Sequence, residues 1–293
     1  MTRARALAIV NPAAGKGTGA KIAARLVTEL ADAGLSVDMV TTPGPGEAAR
    51  LASSAVEDGY ERVIAVGGDG TANEVANGLV DTDVALGLYP IGSGNDFARA
   101  LGYPRKRSTV AAFLRTARER RIDVGEVNGR VFLNVAGVGI DGHVAERVIA
   151  SSRVVGPRLG YVVGSIVSIA TYRPRVMRVR IDGTARAGKH LMVVAANGTH
   201  FGSGMRVAPD AKLDDGLLDI VVGGDLGTWS SLVALAKLYR GTHVDGRTIL
   251  AFKAASLEVD FDAPQPMEAD GEASRTSGLK IRVRPRALTV LAR

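Results

Sequence analysis

The sequence predicts an α/β plus β chain: an open parallel α/β sheet domain over residues 1–125, then a mostly antiparallel β-rich domain over residues 126–293. Two observations carry this division. In the first half, short apolar runs alternate with helical stretches, and glycine-rich turns follow three of the runs, as in a parallel sheet. From Arg121 onward the pattern becomes one of paired alternating strands, with an Asn-Gly pair at 128–129 suited to a tight hairpin.

In chain order, residues 6–10 (ALAIV) form a first strand, and NPAAGKGTGAK a glycine-rich turn leading into a helix from about Ala20 to Ala33. LSVDMVTT is a second strand, followed by a helix from about Gly46 to Asp58. Residues 63–66 are short, apolar and flanked by turn residues, so they read as a buried strand. A helix opens at Thr71, with Glu74 three residues on in the spacing of a capping box. A strand at 84–88, a third glycine turn, a helix starting at Asp96 and a helix at 109–119 complete the first half. In the second half, RIDVGEVNGRVFLNVAGVG and VMRVRIDGTARAGKHLMVVAANG read as hairpins, and SLEVDFD, LKIRVRP and ALTVLAR as alternating strands. Helices fall near 143–150, 159–171 and 228–240.

Composition narrows the function. The chain has no cysteine, which removes disulfides and thiolate metal sites and fits a reducing, cytoplasmic setting. Leu7–Val10 is too short for a signal-peptide core or a membrane span. The net charge of +7 points to anionic partners, whether lipid or nucleotide. No helix-turn-helix, zinc-finger or aromatic RNA-binding motif is present, so nucleic acid is not expected.

The chemistry concentrates in VIAVGGDGTANEVANGL, residues 63–79. A glycine turn that opens a helix after a strand aims free N–H groups, under a favourable dipole, at one spot suited to phosphate. The carboxylate of Asp69 would repel a bare phosphate, and makes sense with a Mg²⁺ ion between the two. NPAAGKG (11–17) is not a Walker A loop, because Gly17 follows Lys16, yet it ends a strand at the same sheet edge as Gly68 and Ser93. Ligands of open α/β sheets bind at that edge, and Lys16 would neutralise phosphate charge there. GVGIDG (137–142) matches the dinucleotide fingerprint but lies in the β-rich half with no acidic residue placed for a ribose, so it reads as a tight turn. The four histidines show no metal-ligand spacing.

GGDGTANEVANGL, PIGSGNDFAR, NVAGVGIDGHV, MRVAPDAKLDDGLLDI and EADGE occur in the order found in the bacterial diacylglycerol kinase family, and by them the chain resembles that family over nearly its whole length. The catalytic domain of the family is shared with sphingosine and ceramide kinases. NAD kinases and phosphofructokinases also carry Gly-Gly-Asp-Gly, but NEVANGL and GSGNDFAR favour the lipid-kinase branch. The resemblance implies an NAD-kinase-like first domain, a β-sandwich second domain and an active site in the cleft between them. It further implies ATP as phosphate donor, Mg²⁺, and a lipid hydroxyl as acceptor, with diacylglycerol giving phosphatidic acid.

By the same resemblance, Asn11, Pro12, Ala13, Ala14 and Gly15, with Lys16, contact ATP, and Gly68, Asp69, Gly70, Thr71, Ala72, Asn73 and Glu74 cradle its phosphates. Ser93, where the family more often has Thr, keeps the hydroxyl of a further nucleotide contact; Thr42 is another, although Thr41 beside it blurs the alignment. The Mg²⁺ ligands map to the Asp215 side chain and the carbonyls of Lys212 and Leu217, with Asp123 connected to that site. Glu272 is the general base and Asp270 its rival. Other readings are a kinase for a sphingoid base or another glycerolipid, an NAD kinase, and a non-catalytic nucleotide- or lipid-binding regulator.

Residues 153–180 hold an apolar stretch too short to span a bilayer, with arginines on both flanks, which fits either an interfacial helix or a helix packed on the β domain. Arg99–Arg121 is a second basic region. The expected partners are therefore a lipid substrate and anionic headgroups at the inner face of the membrane, with a homodimer through edge strands as a further expectation.

Overall fold

The computed structural model describes residues 5–155 and 157–293, with side chains described for these except at 16, 18, 20, 21, 24 and 148–161. It divides into two compact units, Met1–Ile122 with Arg286–Arg293, and Asp123–Pro285.

The first unit runs β1 (Ala6–Val10), α1 (Ala14–Asp32), β2 (Val37–Thr41), α2 (Glu47–Glu57), β3 (Arg62–Gly67), α3 (Asp69–Leu79), β4 (Ala85–Pro90), α4 (Asp96–Ala100) and α5 (Val110–Thr116). Its strands pair in parallel in the order β2-β1-β3-β4. Every residue of β1 is buried, as are all but the first of β3, because helices cover both faces of a parallel sheet. Two helix boundaries differ most from the sequence reading. Helix α1 starts at Ala14 rather than near Ala20, its first turn wound through Gly15 and Gly17 at φ 60° and 80°. The stretch expected to stay helical to 119 ends at Thr116, because the exposed Arg118–Arg121 run offers no apolar stripe to hold a helix on the core.

The second unit contains β5 (Arg118–Val127) from Asp123 on, then β6 (Arg130–Phe132), β7 (Val135–Gly139), α6 (Ile140–Val155), α7 (Pro157–Thr171), β8 (Arg175–Ile181), β9 (Thr184–His190), β10 (Met192–Ala196), β11 (Leu218–Gly223), α8 (Thr228–Leu238), β12 (Ile249–Ala254), β13 (Ser256–Ala269) and most of β14 (Glu272–Ala292). Strands β12-β11-β10-β7-β13-β14 pair antiparallel. Three two-residue hairpins, Asn128-Gly129, Asp182-Gly183 and Asp270-Gly271, hold both residues at positive φ, the backbone that matches the twist of the flanking strands. Phe132, Met177, Leu257 and Ile281 belong to one core cluster of this unit; Val194, Val221, Ile169 and Leu226 belong to another, which includes residues of α6 and α7.

The end of β14 departs from the expected alternating strand of the second domain. Residues 287–292 are buried without alternation and belong to the first unit, where Val290 pairs in parallel with Leu86. ALTVLA is thus a strand covered on both faces, and Arg286 at φ 51° marks the break before it.

Within β5, Gly125 lies opposite Phe132, and a Cβ at Gly125 would come 2.0 Å from the Phe132 ring. The ring lies over bare backbone. Gly125→Ala should therefore overpack this core by about 1–3 kcal/mol, a fall in Tm of several degrees measurable by calorimetry. In the Phe132→Leu background the same alanine should lower Tm little further.

Candidate active site

The first unit brings the predicted phosphate turns to one edge. Val10 is in register with Val66 and Thr41, and Gly67 with Pro90, so the turns after β1, β3 and β4 leave the sheet at its carboxyl end. They are joined to one another. Asn11 Nδ2 donates to Thr71 Oγ1 at 3.0 Å, while Asn11 Oδ1 accepts from Ala13 N–H at 3.0 Å, so one side chain shapes the first turn and ties it to the second. The second and third turns meet backbone to backbone: a Cβ on Gly92 would lie 2.6 Å from Gly68 Cα, which leaves no room for any side chain. Asp69 Oδ1 accepts from Phe97 N–H at 3.1 Å, so one oxygen of the expected metal-facing carboxylate holds the start of α4.

Asn11, Pro12, Ala14, Gly15, Gly68, Asp69, Gly70 and Glu74 are partly exposed along this edge and Ala13 and Ser93 exposed, whereas Thr42, Thr71, Ala72 and Asn73 are buried. Thr42 adjoins the edge through its N–H, which donates to Val10 O at 2.9 Å. The side chain of Lys16 lies outside the described residues. Glu74 departs from the capping-box expectation. Helix α3 begins at Asp69 with Gly68 as its cap, and Glu74 Oε2 instead accepts from Ala48 N–H at 3.2 Å, in the first turn of α2. The helix starts two residues before Thr71, so the local box has no N-terminus to close.

The predicted metal residues lie in the second unit, on the loop before β11. Asp123, fully buried, accepts from Gly216 N–H through Oδ2 at 2.6 Å and donates its own N–H to Leu213 O at 2.6 Å. Asn197 Nδ2 donates to the Asp123 carbonyl at 3.0 Å, so Asp123 is the clamp that shapes the 212–217 loop. Asp215 is bonded to Lys253 Nζ at 2.9 Å, and the same ammonium reaches Asp219 at 3.1 Å. Burial works against the Lys253 charge, but its bonds to both carboxylates outweigh that and raise its pKa; burial pushes the Asp219 carboxyl up, partly offset by Lys253. Among the described residues, no three His, Cys, Asp or Glu side chains form a metal-binding group. One carboxylate with the Lys212 and Leu217 carbonyls is still an all-oxygen set that fits Mg²⁺, an ion that keeps much of its water. Lys253 is the cation such an ion would have to displace from Asp215.

Asp270 and Glu272 separate clearly. Asp270 accepts three backbone N–H groups, from Leu133, Asn134 and Val135, at 2.6, 2.8 and 3.1 Å. Glu272, exposed at the start of β14, is paired at 2.6 Å with the equally exposed Arg130, a weak tie.

Sequence reasoning missed an apolar cavity of the second unit, about 740 Å³ with its open mouth included. Ile140, Val144, Ile169, Val221, Leu235 and Leu238 are among its apolar walls, with Asp141, Ser165, Ser231 and His243 as polar points. Asp141 is the acid of GVGIDG. Gly139, at φ 118°, turns β7 into α6 and buries it; neither carboxylate oxygen makes a well-formed hydrogen bond, and burial pushes its pKa up to about 7. Glu268 on β13 is also wholly buried and raised, first by burial and then by the charge of Asp141. The signal was in the motif, but only the tertiary packing shows that its aspartate points inward.

Parallel strands with phosphate-type turns in one unit and an apolar cavity in the other fit a lipid kinase, and the comparisons show that class. Residues 5–127 match the diacylglycerol kinase catalytic domain and residues 134–292 the YegS C-terminal NAD kinase beta sandwich-like domain. The chain belongs to this diacylglycerol kinase and YegS-like lipid kinase family. It is 31% identical to the diacylglycerol kinase of Bacillus subtilis (strain 168), covering 92% of this chain and 89% of that one. It is 29% identical to the diacylglycerol kinase of Mycobacterium tuberculosis (strain ATCC 25618 / H37Rv), over 97% and 94%. A crystal structure assigned to a diacylglycerol kinase of Bacillus anthracis str. Sterne superposes with a TM-score of 0.83 at 25% identity, covering 100% of this chain and 99% of the other.

Two outcomes follow from this geometry. Lys253→Met should tighten Mg²⁺ or Mn²⁺ binding several-fold and Asp215→Asn should weaken it, both read by calorimetric titration without turnover. For Asp141, the folded pKa of about 7 exceeds the ordinary 3.8, so the folded state holds the proton better and stability is lost as pH rises from about 4 to about 7. Asp141→Asn should therefore gain Tm over the parent progressively across that window and no further above it, a difference on the order of a few kcal/mol.

Proposed function

We propose that this lipid kinase phosphorylates diacylglycerol with ATP, giving phosphatidic acid for phospholipid metabolism. The observation that carries the choice of a lipid acceptor is the apolar cavity of the second unit. Hydrocarbon gains about 0.8 kcal/mol per buried CH₂ in such a wall, whereas a nucleoside acceptor would leave its polar groups unpaired there. The names of the curated relatives support diacylglycerol in particular.

In this reading the turn from Asn11 to Gly15, with Lys16, holds the nucleotide, Ser93 and Thr42 add contacts, and the N–H groups at the start of α3 receive its phosphates. Phosphoryl transfer asks mainly for alignment and charge neutralisation. Mg²⁺ held by Asp215 and the Lys212 and Leu217 carbonyls would neutralise phosphate charge when bound. Asp123 shapes the loop that presents those oxygens. The acceptor's hydroxyl oxygen forms a bond to the γ-phosphorus as the bond to the bridging β–γ oxygen breaks, and ADP leaves. Glu272 takes the hydroxyl proton. Its exposed carboxylate supports this role over Asp270, whose oxygens are engaged by three backbone donors. Asp141 supplies a hydrogen-bonding group for the acceptor's polar portion beside the apolar wall.

The test is transfer from labelled ATP with Mg²⁺ to diacylglycerol, sphingosine and ceramide in mixed micelles, with NAD alongside. Labelled phosphatidic acid is expected, and Glu272→Gln should lower turnover by about 10²–10⁴ while sparing ATP binding. Label on another acceptor alone would replace the substrate, and undiminished turnover in the variant would remove Glu272 as base. ATP binding with no transfer at all would make the protein a regulator.

A further inference from the structure

We infer that the outer faces of α7 and α8 form a docking surface for a lipid bilayer bearing anionic headgroups. The reading of the cavity's occupant rests on the proposed lipid-kinase function; the surface itself is argued from its own residues.

The two helices pack against each other and have apolar side chains on both faces. Their inner faces, through Ser165, Ile169, Leu235 and Leu238, line the cavity. Their outer faces carry Val163 and Ile166 of α7, at 39% and 47% exposure, and Trp229 and Val233 of α8, at 82% and 55%. On α7, positions 162, 163, 166, 167 and 170 are exposed while 164, 165, 168 and 169 are buried, so water meets an apolar stripe where a surface helix ordinarily presents charge. An exposed apolar face of this kind marks an interaction site.

Three features select a membrane as the occupant. Trp229 is the chain's single tryptophan and is almost fully exposed, and tryptophan is the residue that sits best at headgroup level. The charge is complementary to an anionic surface: exposed Arg173 and Arg175 follow α7, exposed Lys237 and Arg240 lie at the end of α8, and no Asp or Glu occurs from Pro157 to Ile181 or from Leu226 to Val244. Finally, the helices that bear this stripe also wall the cavity, so a chain leaving the bilayer beneath them would reach an apolar wall with little exposure to water. Among the described residues no helix is long and apolar enough to cross a membrane, so the contact is one of lying on the surface.

The full chain is mixed with vesicles of phosphatidylcholine, with and without phosphatidylglycerol, and followed by sedimentation and by Trp229 emission, which reports on this face alone. A blue shift and co-sedimentation are expected, stronger with the anionic lipid and weakened by salt. Ile166→Asp and Val233→Asp keep the reporter and sit at exposed positions; each should weaken vesicle affinity about tenfold or more, with an unchanged melting curve. Kinase activity toward a short-chain, water-soluble diacylglycerol should be unaffected by these changes, while activity toward vesicle-embedded diacylglycerol falls. Vesicle binding without any lipid phosphorylation would remove the kinase reading and leave the surface standing. Emission unmoved by vesicles, or affinity unmoved by both aspartates, would overturn the proposal. So would a blue shift that tracks protein concentration alone, which assigns the face to a second copy of the chain.

Discussion

Carboxylates bonded to backbone N–H groups far away in sequence hold the functional loops of this protein in shape. Helix starts and tight turns leave N–H donors without partners, and α2, α3 and α4 have no side-chain cap from their own N-cap residues. Glu74 supplies one for α2 and Asp69 one for α4. In the second unit Asp123 holds Gly216, and Asp270 holds Leu133, Asn134 and Val135. Such bonds to a charged acceptor are stronger than neutral ones and contribute about 1.5–3 kcal/mol each. The same side chains that look available for chemistry in the sequence are therefore largely committed to geometry.

Asp141 and Glu268 show the opposite balance. Their carboxyls are buried with few donors in reach, so desolvation wins over hydrogen bonding and the pKa of each rises. Asp270, two residues from a fully buried Glu268 in the same chain segment, is met by three N–H groups. The contrast locates polar chemistry: a cavity wall tolerates an uncompensated acid only where the acid can be neutral or can be met by a ligand.

Much of this was legible in the sequence, and the failures share a cause. The parallel strands, the glycine turns and the Asn128-Gly129 hairpin follow from local pattern and backbone sterics, and the structure has them. The Thr71–Glu74 pair has the spacing of a local cap, but its members bond to Asn11 and Ala48, residues brought close only by the sheet. Lys253 drew no notice because its partners depend on register: Asp219 is its cross-strand neighbour, and Asp215 lies just ahead of that strand. ALTVLAR was read as alternating although 287–292 is apolar but for Thr289, the mark of a strand buried on both faces. Spacing along the chain reveals an element; it does not say which element will answer its polar groups.

Helices α7 and α8 carry that point to function. A helix apolar on all sides is ordinarily wholly buried, and a sequence cannot say which side the core takes. Here the core takes one side and lines it with a cavity, while the other keeps Ile166, Trp229 and Val233 in water with cations at the helix ends. Leaving that much apolar surface exposed opposes solubility, and a hydrocarbon cavity by itself does not require it. On the proposed reading, a substrate drawn from a bilayer would supply the reason, since it would pass from one apolar medium to another beside the same pair of helices.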